Sequence, residues 1–227
     1  MTVISKNRPT REDYSFDLNK ALTSIVSVQS RIPSDAFTAS VLGTERAGNG
    51  VVIGNDGLVL TIGYLITEAE TIWLTDHNGS AVQGHVLGYD QESGFALIQA
   101  LGQLNVEAIQ IGKSSSLREN DRLIIAGHGG IENSVDAEII SIREFAGYWE
   151  YLLESAIFTA PAHPNWGGAG VIAETGELVG IGSLFIQHET TGDMTADGNM
   201  IVPIDLLQPI FEDLLNIGRP NKKARPW

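Results

Sequence analysis

An all-β protein made of two similar barrels is what this chain of 227 residues predicts, and three observations carry the prediction. Short apolar runs of strand length follow one another with no helical stretch between them. Each run is bounded by a turn signal such as "GNDG", "DHNGS", "GHGG", "ETGE" or "TGD". The series breaks once, at "IGKSSSLREN", into two sets of about six. Antiparallel strands spaced in this way close into barrels or sandwiches.

Residues 1–15 are polar and charged and are expected to be mobile. From Phe16 to Arg31, apolar Leu18, Leu22, Ile25 and Val26 fall at i, i+4, i+7 and i+8, which predicts an N-terminal helical segment over 16–35. The first barrel, 36–112, takes the runs "FTASVLG", "NGVVIG", "GLVLTIGYLI", "TIWLTD", "AVQGHVLGYD" and "GFALIQA". The second, 113–203, takes "DRLIIAG", "DAEIISIRE", "YLLESAIFTA", "AGVIA", "ELVGIGSLFI" and "NMIVP". Pro203-Ile204-Asp205 then opens a helix over 204–218, with Leu207, Ile210, Phe211 and Leu214 on one face and Gly218 closing it. The remainder, 219–227, is basic and proline-bearing and reads as a linker.

Composition narrows the function classes. The chain carries 14 Lys+Arg against 28 Asp+Glu, a net charge of −14. Arg219, Lys222, Lys223 and Arg225 crowd into the last nine residues, so the body is more acidic still. Such a surface repels phosphate backbones and anionic lipid, and neither nucleic acid nor membrane is expected as a partner. With no cysteine, disulfides, thiolate catalysis and cysteine-ligated metals are excluded. The N-terminus has no apolar signal region and no 18-residue apolar span occurs, so the expected location is cytoplasmic, or periplasmic had a leader been removed. No HExxH-type spacing appears, and the glycine clusters lie on turns with no helix following. Neither a metal nor any other cofactor is expected.

Four segments, "GNGVVIGNDGLVLTIGYLI", "VLGYDQESGFALIQ", "PNWGGAGVIAETGELVGIGS" and "MIVPIDLLQPIFEDLLNIGRP", resemble in order the signature segments of the HtrA/DegP-like serine proteases, from about residue 20 onward. The resemblance implies the trypsin-like (chymotrypsin-type) fold of two six-stranded barrels. It implies trimers built through the N-terminal region, a role that would fall on residues 12–35. It also implies that "GRPNKKARPW" leads toward a peptide-binding PDZ domain beyond Trp227. Against the family's "LTNxHVV", "DLAVL" and "PGNSGGPL" this chain reads "LTIGYLI", "GFALI" and "PNWGGAGV". Tyr64 therefore stands for the histidine base, Gly94 for the aspartate and Gly167 for the serine nucleophile.

A triad works because an imidazole with pKa near 6.5 takes the serine proton while a carboxylate holds its tautomer. A phenol of pKa about 10 is a poor base at neutral pH, and glycine offers neither carboxylate nor hydroxyl. The backbone N–H groups of Asn165 and Gly167 remain as an oxyanion-hole-like pair. These substitutions lead to the expectation of a non-enzyme, a pseudoprotease that binds or scaffolds protein or extended peptide segments. The alternative is a serine endopeptidase-like hydrolase using relocated residues, with Ser183, Ser114, Ser115, Ser116 and His163 as the candidates. His77 and His128 read as solvated turn residues. Tyr64, Trp166 and His163 are the candidate groove-lining side chains. Trp166 either fills the vacated cleft or stacks on a ligand.

Overall fold

The computed structural model describes residues 3–147, 151–190 and 194–221. After a short helix α1 (Val3–Lys6) and α2 (Leu18–Thr23), strands β1 (Ile25–Arg31), β2 (Glu45–Gly54), β3 (Leu58–Ile62), β4 (Thr71–Thr75), β5 (Ala81–Tyr89) and β6 (Phe95–Ala100) build the first barrel, with α3 (Ala39–Leu42) between β1 and β2. Strands β7 (Arg122–Ala126), β8 (Ser134–Ala146), β9 (Leu152–Ala160), β10 (Gly170–Ala173), β11 (Leu178–Thr190) and β12 (Met194–Pro203) build the second, and α4 (Phe211–Ile217) follows. Both barrels are closed, in the orders β1-β2-β3-β6-β5-β4 and β10-β11-β12-β9-β8-β7, and every pairing within them is antiparallel.

The local sequence explains most of this. In β4, Ile72 and Leu74 point to the core while Thr71 and Trp73 face outward, the period-two pattern of a half-buried strand. Strand β3, "LVLTI", is buried along its whole length because the second barrel covers its outer face. The apolar cluster crosses the junction, taking Ile25, Val51 and Leu60 from one barrel and Leu178, Ile181 and Met200 from the other. Gly170 makes this contact close, since a Cβ there would lie 2.6 Å from Ile25 Cδ1.

Three expectations need correction. The helical segment over 16–35 is helical only to Thr23; Ile25–Arg31 is the first strand, so the first barrel starts at 25 and not at 36. Ile25 and Val26 fit both a helical face and a strand buried on two sides, and pairing with β2 and β4 decides for the strand. Conversely "FTASVLG", expected as a strand, contains α3. Its apolar Phe37 and Val41 are 91% and 77% exposed, so no sheet neighbour competes with the local turn. The number of strands survives because one strand was overlooked and one was expected wrongly.

Residues 3–15, expected to be mobile, pack on the second barrel. Asn7 O accepts from Asp136 N at 2.7 Å. Tyr14 is buried against Phe16, with ring centroids 5.5 Å apart, and the Arg122 guanidinium lies 5.9 Å from the Tyr14 ring while pairing with Asp136. Leu18 and Leu22 of α2 are core residues, which is where part of the proposed trimer segment 12–35 goes. The helix over 204–218 is a 3-10 turn at Ile204–Leu206 followed by α4, closed by Gly218 in the left-handed region. Of the linker over 219–227, residues 222–227 lie outside the described residues.

If α2 belongs to the core, Leu22→Ala should destabilise the protein by about 3 kcal/mol, as for other buried leucines. A urea unfolding series would read this directly; a change under 1 kcal/mol would mean that α2 is not held as described.

Candidate functional site

Four segments meet at the junction of the barrels: the 3-10 turn Gly63–Leu65 after β3, the turn 90–94 before β6, the loop 164–168 before β10, and Tyr151 immediately before β9. Asn49 of β2 ties one of them, the loop 164–168, to the first barrel. Its N–H donates to Gly167 O at 2.8 Å, and its Nδ2 donates to Asn165 O at 2.9 Å and Gly167 O at 3.1 Å. Its Oδ1 accepts from His128 N at 2.8 Å, and its carbonyl accepts from Thr61 Oγ1 at 2.7 Å. Gly168 permits the approach, because a Cβ there would lie 1.9 Å from Asn49 O. Reading the sequence for reactive groups passed over Asn49; the flanking glycines of "GNG" are the signal that a second backbone comes close at this point.

Tyr64, Gly94 and Gly167, distant in sequence, are brought together here. Gly63 N donates to Gly94 O at 2.7 Å, which ties the first two segments. The Tyr64 hydroxyl lies 2.7 Å from where a Cβ on Gly167 would stand, and it donates to Ser183 O at 2.9 Å. Gly94, at φ +79°, faces the Tyr151 ring, whose Cε1 is 2.2 Å from a would-be Cβ. The Tyr151 hydroxyl pairs with Ser183 Oγ, which is fully buried. Two phenols thus fill the space beside the two glycines, and both hydroxyls converge on Ser183.

The backbone pair expected at Asn165 and Gly167 is split. Asn165 N–H donates to His163 Nδ1 at 3.0 Å, so of the two only the Gly167 N–H has no acceptor among the described residues. His163, expected to line a groove, is fully buried instead. Its backbone N–H donates to Asn199 Oδ1 at 2.6 Å, and its Nε2 donates to Asn133 O at 3.0 Å. With Nδ1 accepting and Nε2 donating, the ring is the neutral Nε2–H tautomer, and burial pushes its pKa below the ordinary 6.5. Trp166 is half-buried against Phe185, ring centroids 5.5 Å apart, and lies over β11 rather than in the cleft. His128 is no solvated turn residue either; its Nε2 donates to Asp76 O at 2.9 Å, a second bridge between the barrels. Ser114 and Ser115 are tied to the Asp205 carboxylate through their backbone N–H groups, at 3.0 and 2.9 Å. Among the named serines, Ser183 is the one that reaches the site.

A cleft of about 330 Å3 opens beside this cluster. Tyr64, Gly94, Tyr151, Tyr89, Asp90 and Glu68 line it, together with Phe37 and Thr38. Of the three candidate groove-lining side chains, only Tyr64 lines it. Among the described residues no cluster of histidine and carboxylate side chains is arranged to hold a metal.

Two trypsin-fold barrels meeting at a cleft define the class, and the sequence comparison agrees. Residues 48–181, more than half of the chain, match the trypsin-like peptidase domain family, and the chain belongs to it. Within that family it is similar to HtrA-type proteins. It is 26% identical over 180 residues to a putative serine protease HhoB of Synechocystis sp., covering 77% of this chain and 42% of that one. It is 22% identical over 217 residues to a serine protease HtrA-like of Staphylococcus aureus, covering 88% of this chain and 28% of that one. The chain thus spans less than half the length of these curated relatives. Among solved structures, the HtrA-type protease AlgW with tripeptide superposes with a TM-score of 0.71 at 16% identity, covering 92% of this chain and 65% of that one. AlgW with decapeptide gives 0.66, also at 16% identity, covering 90% and 69%. These structural likenesses establish the fold.

The expectation of a non-enzyme is corrected by these relatives, which are named serine proteases and point to a protease. What the side chains at 64, 94 and 167 exclude is narrower: a Ser-His-Asp relay at those three positions. They do not exclude hydrolysis by the chain.

Two predictions follow from the geometry. Gly94→Asp should cost about 3 kcal/mol or more, from positive φ combined with the Tyr151 clash. Tyr151→Ala in the same chain should recover at least about 1 kcal/mol of that loss in a double-mutant cycle; additive effects would mean that Tyr151 does not fill the Gly94 space. For His163, the unfolded chain binds a proton more readily than the folded one. Stability is therefore full above pH 6.5 and falls as the pH drops below it, at up to about 1.4 kcal/mol per pH unit for this group. Thermal melts between pH 5 and 8 should show a flatter acid limb for His163→Gln than for the parent.

Proposed function

We propose that this chain acts on polypeptide, taking an extended protein or peptide segment into the cleft beside Tyr64, Gly94 and Tyr151. The observation that carries the reading is that the junction cleft stays open, at about 330 Å3, after two phenols have filled the places beside Gly94 and Gly167. The solved neighbours are an HtrA-type protease with a tripeptide and with a decapeptide, and this supports a peptide partner. Exposed Phe37 at the rim offers apolar contact for such a segment.

A second reading, serine endopeptidase-like hydrolysis by relocated residues, is favoured by the relatives being named serine proteases. Its nucleophile would be Ser183, whose hydroxyl pairs with that of Tyr151. It would have to leave its bond to Tyr151 and become exposed before attacking a carbonyl.

Fluorescence anisotropy with a labelled, unfolded casein-type chain tests the first reading. Saturable binding by the folded protein is expected, with Phe37→Ser weakening it about tenfold. Binding that matches a heat-denatured control, or that ignores Phe37→Ser, would sink it. Hydrolysis is read in the same samples by fragment release and a serine-directed fluorophosphonate label; loss of both in Ser183→Ala would assign the chemistry to Ser183.

A further inference from the structure

The cleft is bordered by aromatic rings and carboxylates together. Tyr64, Tyr89 and Tyr151 contribute phenol rings and Phe37 a phenyl ring, while Asp90 and Glu68 contribute negative charge. Asp90 is 9% exposed, and its carboxylate accepts backbone N–H groups from Glu92 at 3.3 Å and Ser93 at 2.9 Å. Among the described residues no lysine, arginine or histidine side chain lies within ion-pair distance of it. A carboxylate offers about four acceptor positions, so Asp90 keeps capacity for a further donor.

Glu68 is anchored to Phe37 and Thr38, which also line the cleft. Its carboxylate accepts from Thr38 Oγ1 at 2.6 Å, Thr38 N at 2.7 Å and Phe37 N at 3.0 Å, and these bonds hold its pKa below the usual carboxylate value. The near cation, Arg46, is spent on structure: its Nη1 donates to Tyr64 O at 2.7 Å and Thr67 O at 3.1 Å, and its Nη2 to Thr38 Oγ1 at 2.7 Å. Two carboxylates against one committed guanidinium leave the cleft negative, inside a chain of net charge −14. Aromatic faces attract cations through their quadrupoles, and a lysine or arginine can lay an apolar stem along the rings while its head meets a carboxylate. A volume of about 330 Å3 is within the range of small-ligand sites.

We infer that this cleft selects a lysine or arginine side chain of the bound segment, held between Tyr64, Tyr89 and Tyr151 with its charge toward Asp90 and Glu68. The inference rests on the cleft being a polypeptide site, as proposed above, and adds which side chain it prefers.

The test is a 1H–15N titration of the protein with Nα-acetyl-lysine N-methylamide and, separately, with its norleucine counterpart. The lysine compound should saturably shift amides of residues 37–42, 63–68 and 89–94. It should bind at least about fivefold more tightly than norleucine, and the advantage should shrink in about 0.5 M salt. Tyr89→Ala, a change at a 39% exposed position, and Asp90→Asn should each reduce the advantage at least about threefold. Equal binding of the two compounds, or shifts confined to other residues, overturns the inference even where the casein-type chain binds. Preference for the lysine compound in a protein that fails to bind the casein-type chain keeps the cation site and removes the polypeptide reading.

Discussion

The contact on which the site depends is the set of hydrogen bonds made by Asn49. One buried residue of the first barrel holds the loop 164–168 by two carbonyls and the His128 turn by its backbone N–H. A buried amide satisfies its donors and acceptor only in one orientation, so it sets the relative position of two barrels that would otherwise be joined by non-directional apolar packing. Thr61 donating to the Asn49 carbonyl and Gly168 admitting the close approach belong to the same constraint. His128 reaching Asp76 O repeats the stitch further along the junction.

Given that fixed junction, the space within it is filled by side chains of complementary size. A phenol and two glycines, Tyr64, Gly94 and Gly167, come together there. Tyr64 stands over Gly167 and Tyr151 over Gly94, so large rings sit where a neighbour has no side chain and the packing there is close. The hydroxyls of both rings then need partners, and Ser183 supplies them with its carbonyl and its Oγ. Family membership describes the trypsin-like scaffold, and the pairing of Tyr64 with Gly167 and of Tyr151 with Gly94 is what this chain's own side chains add to it.

Much of the fold was legible from local pattern. Two sets of six strands separated by turns, a helix after the second set, and the ordered segments around 64, 94 and 167 all follow from alternation, turn residues and resemblance. The errors fall where local pattern is ambiguous. Ile25–Arg31 satisfies both a helical face and a strand, and 37–43 is apolar enough for a strand but has no neighbour to pair with. The candidate site was legible as three positions but not as an arrangement. His163 seemed available and is neutral and buried, while Trp166 seemed to face the cleft and lies over β11.

By itself the sequence determined the class of fold, the number of strands, the family likeness and the side chains present at 64, 94 and 167, because period and residue identity are local properties. Only the tertiary structure decided that Tyr151 fills the space at Gly94, that Asn49 joins the barrels, that Asn165 spends its N–H on His163, and that a negative, aromatic cleft remains. Each of these is a match of volume or of hydrogen-bond capacity between segments brought together by folding. Such matches leave no periodic trace along the chain, since each partner alone looks like an ordinary turn or strand residue.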